Sequence, residues 1–152
     1  MFKHISSSII LIIERMVSKV LIKNWEGVVI HHSASHDVSA NEIDTWHKER
    51  GWKGVGYHYV VRFDGAIEPA RNWAQAGAHK KGYNAHYLGI CVTGDFTKHP
   101  PTRQQLASVI DLVRGHDNRW DIRDNIDRHH EDCPGKYFPW EFFIENLKRK
   151  ER

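Results

Sequence analysis

Apolar residues in this chain gather into short β-branched runs, with stretches of helical spacing set between them. Val28 to His31, Tyr57 to Phe63 and Tyr87 to Val92 are compact runs of this kind and read as strands. Val17 to Ile22 has the same character, with Asn24-Trp25-Glu26-Gly27 as the turn that separates it from Val28. Asp64-Gly65 is a tight-turn signal, so Ala66 to Pro69 is the returning strand of a hairpin. Asn125 to Arg128 forms a short strand that leads into His129. Ser39 to Arg50 reads as a helix, with Ser39 and Glu42 as a capping box and Gly51 as the stop. Pro101 and Thr102 open a second helix, capped by Thr102 and Gln105, whose apolar face is Leu106, Val109, Ile110 and Val113. Pro139 to Lys150 closes the chain as a third. Asn72 to Asn84, rich in Gly, Ala and Lys, reads as a surface loop. Strands interleaved with helices predict an α/β fold, a mixed central β-sheet covered by helices on its faces.

The first residues fit this scheme less well. Positions 5, 9, 12, 13, 16, 17 and 20 are apolar and suit an amphipathic helix, which competes with the strand reading of Val17 to Ile22. The cluster Ile9 to Ile13 is too short to span a bilayer, Glu14-Arg15 interrupts it, and no clean small-residue cleavage site follows. Membrane contact through this segment and an export signal are the competing readings, as is translation beginning at Met16. Residues 1–16 are therefore expected to be an extension and 17–152 the domain. A chain of 152 residues is one domain in length and can bury a core without disulfides. Its 40% hydrophobic and 27% charged content is that of a soluble globular protein. A net charge of +3 suits a polyanionic surface but is too weak to indicate nucleic acid, and much of it lies in the terminal Lys148-Arg149-Lys150 run.

The candidate chemistry sits in two histidine pairs and one cysteine. His31-His32 ends an apolar run, and His129-His130-Glu131-Asp132-Cys133 lies near the other end of the chain. Imidazole and thiolate are the donors zinc prefers, and three protein ligands with one open position is the catalytic arrangement. Side chains alternate along a strand, so one histidine of each pair faces a given site. Two cysteines make no disulfide framework. Cys91, within Leu88 to Val92, reads as core, whereas Cys133 stands in a loop beside histidines. Trp46 and Trp52 read as core residues.

Several segments occur in an order that resembles one family. They are Ile30-His31-His32-Ser33-Ala34-Ser35, Trp46 to Trp52, Gly54-Val55-Gly56-Tyr57-His58-Tyr59-Val60-Val61, Asp64-Gly65, Gly77 to Asn84, Leu88 to Phe96, and His129 with Cys133-Pro134-Gly135. Together they resemble the zinc-dependent N-acetylmuramoyl-L-alanine amidases of phage endolysin type, which share a fold with peptidoglycan recognition proteins. The resemblance implies a single domain of that fold and one Zn2+ per chain, held by His31, His129 and Cys133. It implies hydrolysis of the amide between N-acetylmuramic acid and L-alanine in peptidoglycan, with Tyr57 as a catalytic residue and His79 and Asn84 near the bound muropeptide. A monomer is expected. An endolysin stays in the host cytoplasm until it reaches the wall, whereas an autolysin is exported.

One departure stands out. In the phage enzymes the segment from the second histidine to the cysteine is longer, and a lysine two residues before the cysteine assists at the oxyanion. Here three residues intervene and Glu131 takes that place. Glu131 is a candidate general base or proton shuttle, against the reading of a surface residue that orients His130. Lys136 is a candidate for the missing charge, against that of a solvated lysine. Two other functions compete: a muropeptide-binding module without catalysis, and a structural zinc domain that takes a fourth ligand from His32, His130 or Asp132.

Overall fold

The structure is a computed structural model that describes residues 6–12 and 24–149. Five strands form one sheet: β1 (Gly27–His32), β2 (Tyr59–Val61), β3 (Ile67–Pro69), β4 (Tyr87–Val92) and β5 (Ile126–Arg128), in the order β3-β2-β4-β1-β5. β1 runs parallel to β4 and β5, and β2 runs parallel to β4. Only the edge pair β2–β3 is antiparallel, closed by the turn at Asp64-Gly65 as expected. The helices are α1 (Ala40–Glu49), α2 (Arg103–Trp120) and α3 (Trp140–Lys148).

Both faces of the sheet are covered, which is why the central strands read as continuous apolar runs rather than alternating ones. On one face Val28, Ile30, Leu88, Ile90, Val61 and Val92 pack with Val109 and Val113 of α2 and Phe143 and Leu147 of α3. On the other, Val60 and Cys91 pack against Ile43 of α1 and Val38. Both capping boxes form, at Ser39/Glu42 and at Thr102/Gln105. The second also anchors α2 to the sheet: Gln105 Nε2 donates to the carbonyls of Val61 and Thr93, and Thr102 Oγ1 donates to that of Phe63.

Three expectations need revision or fall elsewhere. The paired part of the Tyr57–Phe63 run is only Tyr59–Val61, although Tyr57 and His58 stay tied by backbone hydrogen bonds to Arg71, Ala70 and Gly89. Trp52 is not core: 44% of it is exposed, and it leans on His47 at the end of α1. Trp46 does pack, partly buried, on the α1 side. The strand expected at Val17 to Ile22 and the boundary at residue 16 lie outside the described residues. Residues 7–12 are helical, and Ile9, Ile10, Leu11 and Ile12 are all exposed. Among the described residues no helix is long and apolar enough to cross a membrane.

Candidate metal centre

Sheet register decides which histidine of the first pair reaches the site. His31 lies in the lateral row of Cys91 and Val60, on the α1 face, while His32 aligns with Val92 and Val61 on the other. His32 turns its Nδ1 to accept the Phe96 N–H. His31 is 1% exposed, and its Nδ1 stands 3.8 Å from Cys133 Sγ. His129 follows β5 directly, and its ring lies 4.7 Å from that of His31. Donor atoms of His31, His129 and Cys133 fall within 4.8 Å of one another. No fourth His, Cys or carboxylate joins this group among the described residues.

A chain of hydrogen bonds fixes the tautomer of His31. His79 Nε2 is 2.9 Å from the Tyr87 carbonyl, which only an N–H can meet. Neutral His79 then has a bare Nδ1, which accepts from His31 Nε2–H at 2.9 Å. The lone pair of His31 is left on Nδ1, facing Cys133. Gly89 of β4 makes room for this: a Cβ there would lie 2.5 Å from the His79 ring. Burial, and then the neighbouring His79 and His129, hold His31 well below the ordinary imidazole range. Burial lowers His79 to about 4. Burial, with His130 and Lys80, also lowers His129. All three rings are therefore neutral near pH 7, the form that binds metal.

Cys133 sits at the end of a two-residue turn. The His130 N–H donates to the Cys133 carbonyl and the Cys133 N–H returns to that of His130, at 3.1 and 3.0 Å. Gly135 (φ 106°) then lets the chain press against the Phe96–Thr97 backbone, where a Cβ would come within 2.5 Å. Burial pushes the Cys133 thiol up to about 11, partly offset by the His32 N–H directed at Sγ. The thiol thus keeps its proton until a cation takes that place, as thiol ligands do. Two imidazoles with free lone pairs and one buried thiol fit a zinc ion.

Two of the three donors, His129 and Cys133, line a cleft of about 390 Å³ together with Tyr57, Arg50, Asp95 and Asp132, and His31 lies buried behind them. The Tyr57 ring is 4.9 Å from that of His31. Burial, reinforced by Cys91 and Cys133 and opposed by Arg50, raises the Tyr57 phenol well above its ordinary value. The Tyr57 phenol therefore keeps its proton at neutral pH.

The remaining expected site residues lie elsewhere. Glu131 is exposed at the turn and does not line the cleft; the two-residue turn brings Asp132 to it instead. Lys136 is also exposed and outside the cleft lining, with its ammonium over the Tyr137 ring. His79 is buried beneath His31 with both nitrogens committed, so its effect on the site runs through that ligand. Asn84 Oδ1 accepts the N–H groups of His79 and Lys80 and so shapes the loop that holds His79. Lys80 Nζ pins the same loop to the end of β5, donating to Asp127 Oδ2 and the Arg128 carbonyl, both at 2.9 Å. Arg50 was not foreseen. Its only sequence signal was a place in the Trp46–Trp52 segment, and its aim depends on how α1 packs.

The family described as N-acetylmuramoyl-L-alanine amidase matches residues 22–136. The endolysin of Escherichia phage T7 is 42% identical over 75 residues, which are 47% of this chain and 50% of that protein. The match to the endolysin of Enterobacteria phage T3 is alike, at 43% over 72 residues, 45% of this chain and 48% of that protein. This chain thus spans about half the length of the curated relatives it matches. Among solved structures, N-acetylmuramoyl-L-alanine amidase LysC from Clostridium intestinale URNW superposes with a TM-score of 0.79 at 37% identity, covering 84% of this chain and 87% of that one. A mixed sheet flanked by helices, with two histidines and a cysteine brought together, agrees with these matches: the chain belongs to the N-acetylmuramoyl-L-alanine amidase family.

Proposed function

We propose that this protein hydrolyses the amide between the lactyl group of N-acetylmuramic acid and L-alanine in peptidoglycan, with one zinc ion held by His31, His129 and Cys133. The observation that carries this reading is the three-donor cluster at the head of a cleft beside a protonated tyrosine. Bound there, zinc supplies Lewis acidity towards the scissile carbonyl and a nucleophilic water at neutral pH. His31 and its partner His79 hold the donor geometry. Tyr57 can give a hydrogen bond to charge that develops on the carbonyl oxygen, or a proton to the departing nitrogen. Three protein donors rather than four support a catalytic site over a structural one. Cys133 and a protonated Tyr57 support hydrolysis over muropeptide binding alone.

The test is release from purified peptidoglycan, with new L-alanine amino termini tracked against new reducing ends. Amino termini that disappear with a chelator and return with zinc are expected. New reducing ends would mean cleavage of the glycan. Binding of muropeptide with no release would leave a recognition module.

A further inference from the structure

Amide hydrolysis in the cleft, the reading proposed above, puts negative charge on the carbonyl oxygen. The water oxygen bonds to the carbonyl carbon as the water gives up a proton, and the C=O π pair moves onto oxygen. That pair re-forms the C=O as the C–N bond breaks; the nitrogen takes up the proton that water lost and leaves as the amino terminus of L-alanine, with the new carboxyl left on the lactyl group. Donors fixed where that charge develops supply a large part of catalysis.

The charged groups that line the cleft are few. Asp95 and Asp132 are the two carboxyl side chains on that lining. Hydrogen bonds from Thr97 hold the Asp95 carboxyl low, and Lys98 pairs with it. Arg50 is the one permanent cation on the lining among the described residues. It shares its wall with Tyr57, since both also line an adjoining cavity of about 60 Å³ next to His47. The Arg50 charge acts on both Tyr57 and His47. Among the described residues no carboxylate pairs with its guanidinium, whose recorded contact is the Trp52 ring at 6.0 Å. Its backbone caps α1, with the N–H directed at the Trp46 and His47 carbonyls, so the side chain starts from a fixed point. A guanidinium with no protein anion, on the wall of a catalytic cleft, suits an anion that arrives with the substrate or forms from it.

We propose that Arg50 is a catalytic residue: its guanidinium donates hydrogen bonds to the oxyanion of the tetrahedral intermediate, beside the Tyr57 hydroxyl.

The test compares wild type, Arg50→Gln and Arg50→Lys on a soluble muropeptide, reading kcat and KM separately, with zinc content and circular dichroism of each protein. For Arg50→Gln, kcat is expected to fall about tenfold to a hundredfold, at or below the range for loss of one oxyanion donor because the group is exposed. KM is expected to stay within about twofold, zinc at one per chain, and Arg50→Lys to recover part of kcat. A raised KM with unchanged kcat would overturn the proposal, because Arg50 would then hold a carboxylate of the ground-state stem peptide. Unchanged kcat and KM would overturn it too, as would loss of zinc from both variants. A wild-type protein that releases no L-alanine amino termini would overturn the amidase reading itself, before any variant is compared.

Discussion

His79 gives the sharpest prediction, because it does not line the cleft and yet sets where His31 carries its proton. Replacing it with alanine removes the acceptor for His31 Nε2–H, which lies in a buried position. A buried donor left without a partner costs about 1–3 kcal/mol. The loss also frees the His31 ring to rotate and to place its proton on Nδ1, the atom that faces Cys133. Removing the partner of a metal-bound histidine typically weakens metal binding about 10- to 100-fold. That corresponds to about 1.4–2.7 kcal/mol of metal affinity. Zinc titration against a chromophoric chelator at pH 7 measures it directly. His79→Ala is expected to bind zinc at least about tenfold more weakly than wild type at the same stoichiometry. His79→Gln, which can accept from His31 and donate to the Tyr87 carbonyl, is expected to recover part of the loss. Wild-type zinc affinity in a folded His79→Ala protein would refute the argument that this hydrogen-bond chain fixes the ligand tautomer.

Two further outcomes follow from buried or half-buried charge chemistry. His58 accepts the Gly89 N–H and donates to the Gln75 carbonyl, and burial lowers it from 6.5 to about 4. The native state therefore binds fewer protons than the unfolded chain, so its contribution is complete above about pH 6.5 and is lost as pH falls towards 4. The gap is worth on the order of 3 kcal/mol. Urea unfolding of the zinc-free protein across that window should show a falling midpoint, and a flat profile would contradict the burial argument. Lys80→Met removes the clamp between the 72–84 loop and the end of β5. Zinc affinity should fall several-fold, roughly as for other outer-shell supports, and amides of Ile126 to His129 should exchange faster. Unchanged exchange there would mean that the clamp does not position His129.

Local features were readable from residues alone because their causes are local. Ser39/Glu42 and Thr102/Gln105 cap their own helices, and Asp64-Gly65 closes its own hairpin. The apolar run of β4 announced a strand covered on both faces. His31, His129 and Cys133 were legible as a set because zinc chemistry favours few residue types and the ordered motifs named them. Trp52 misled because aromatic character says nothing of which way the chain leaves α1. Glu131 and Asp132 exchanged places because two backbone hydrogen bonds set which turn residue meets the cleft.

The sequence by itself determined the elements, their caps, the doubly covered sheet and the donor types available for a metal. These follow from short-range periodicity and from side-chain chemistry. Residue chemistry alone left open which histidine of the first pair faces the site, and the resemblance named His31; the register of β1 beside β4 supplies the physical reason, turning His31 and not His32 to the α1 face. Only the tertiary structure placed His79 beneath His31 and brought Arg50 to the cleft, since these contacts join segments far apart in the chain. Such contacts depend on how α1 and the loops pack against the sheet, a balance of burial and hydrogen bonding that no local pattern encodes.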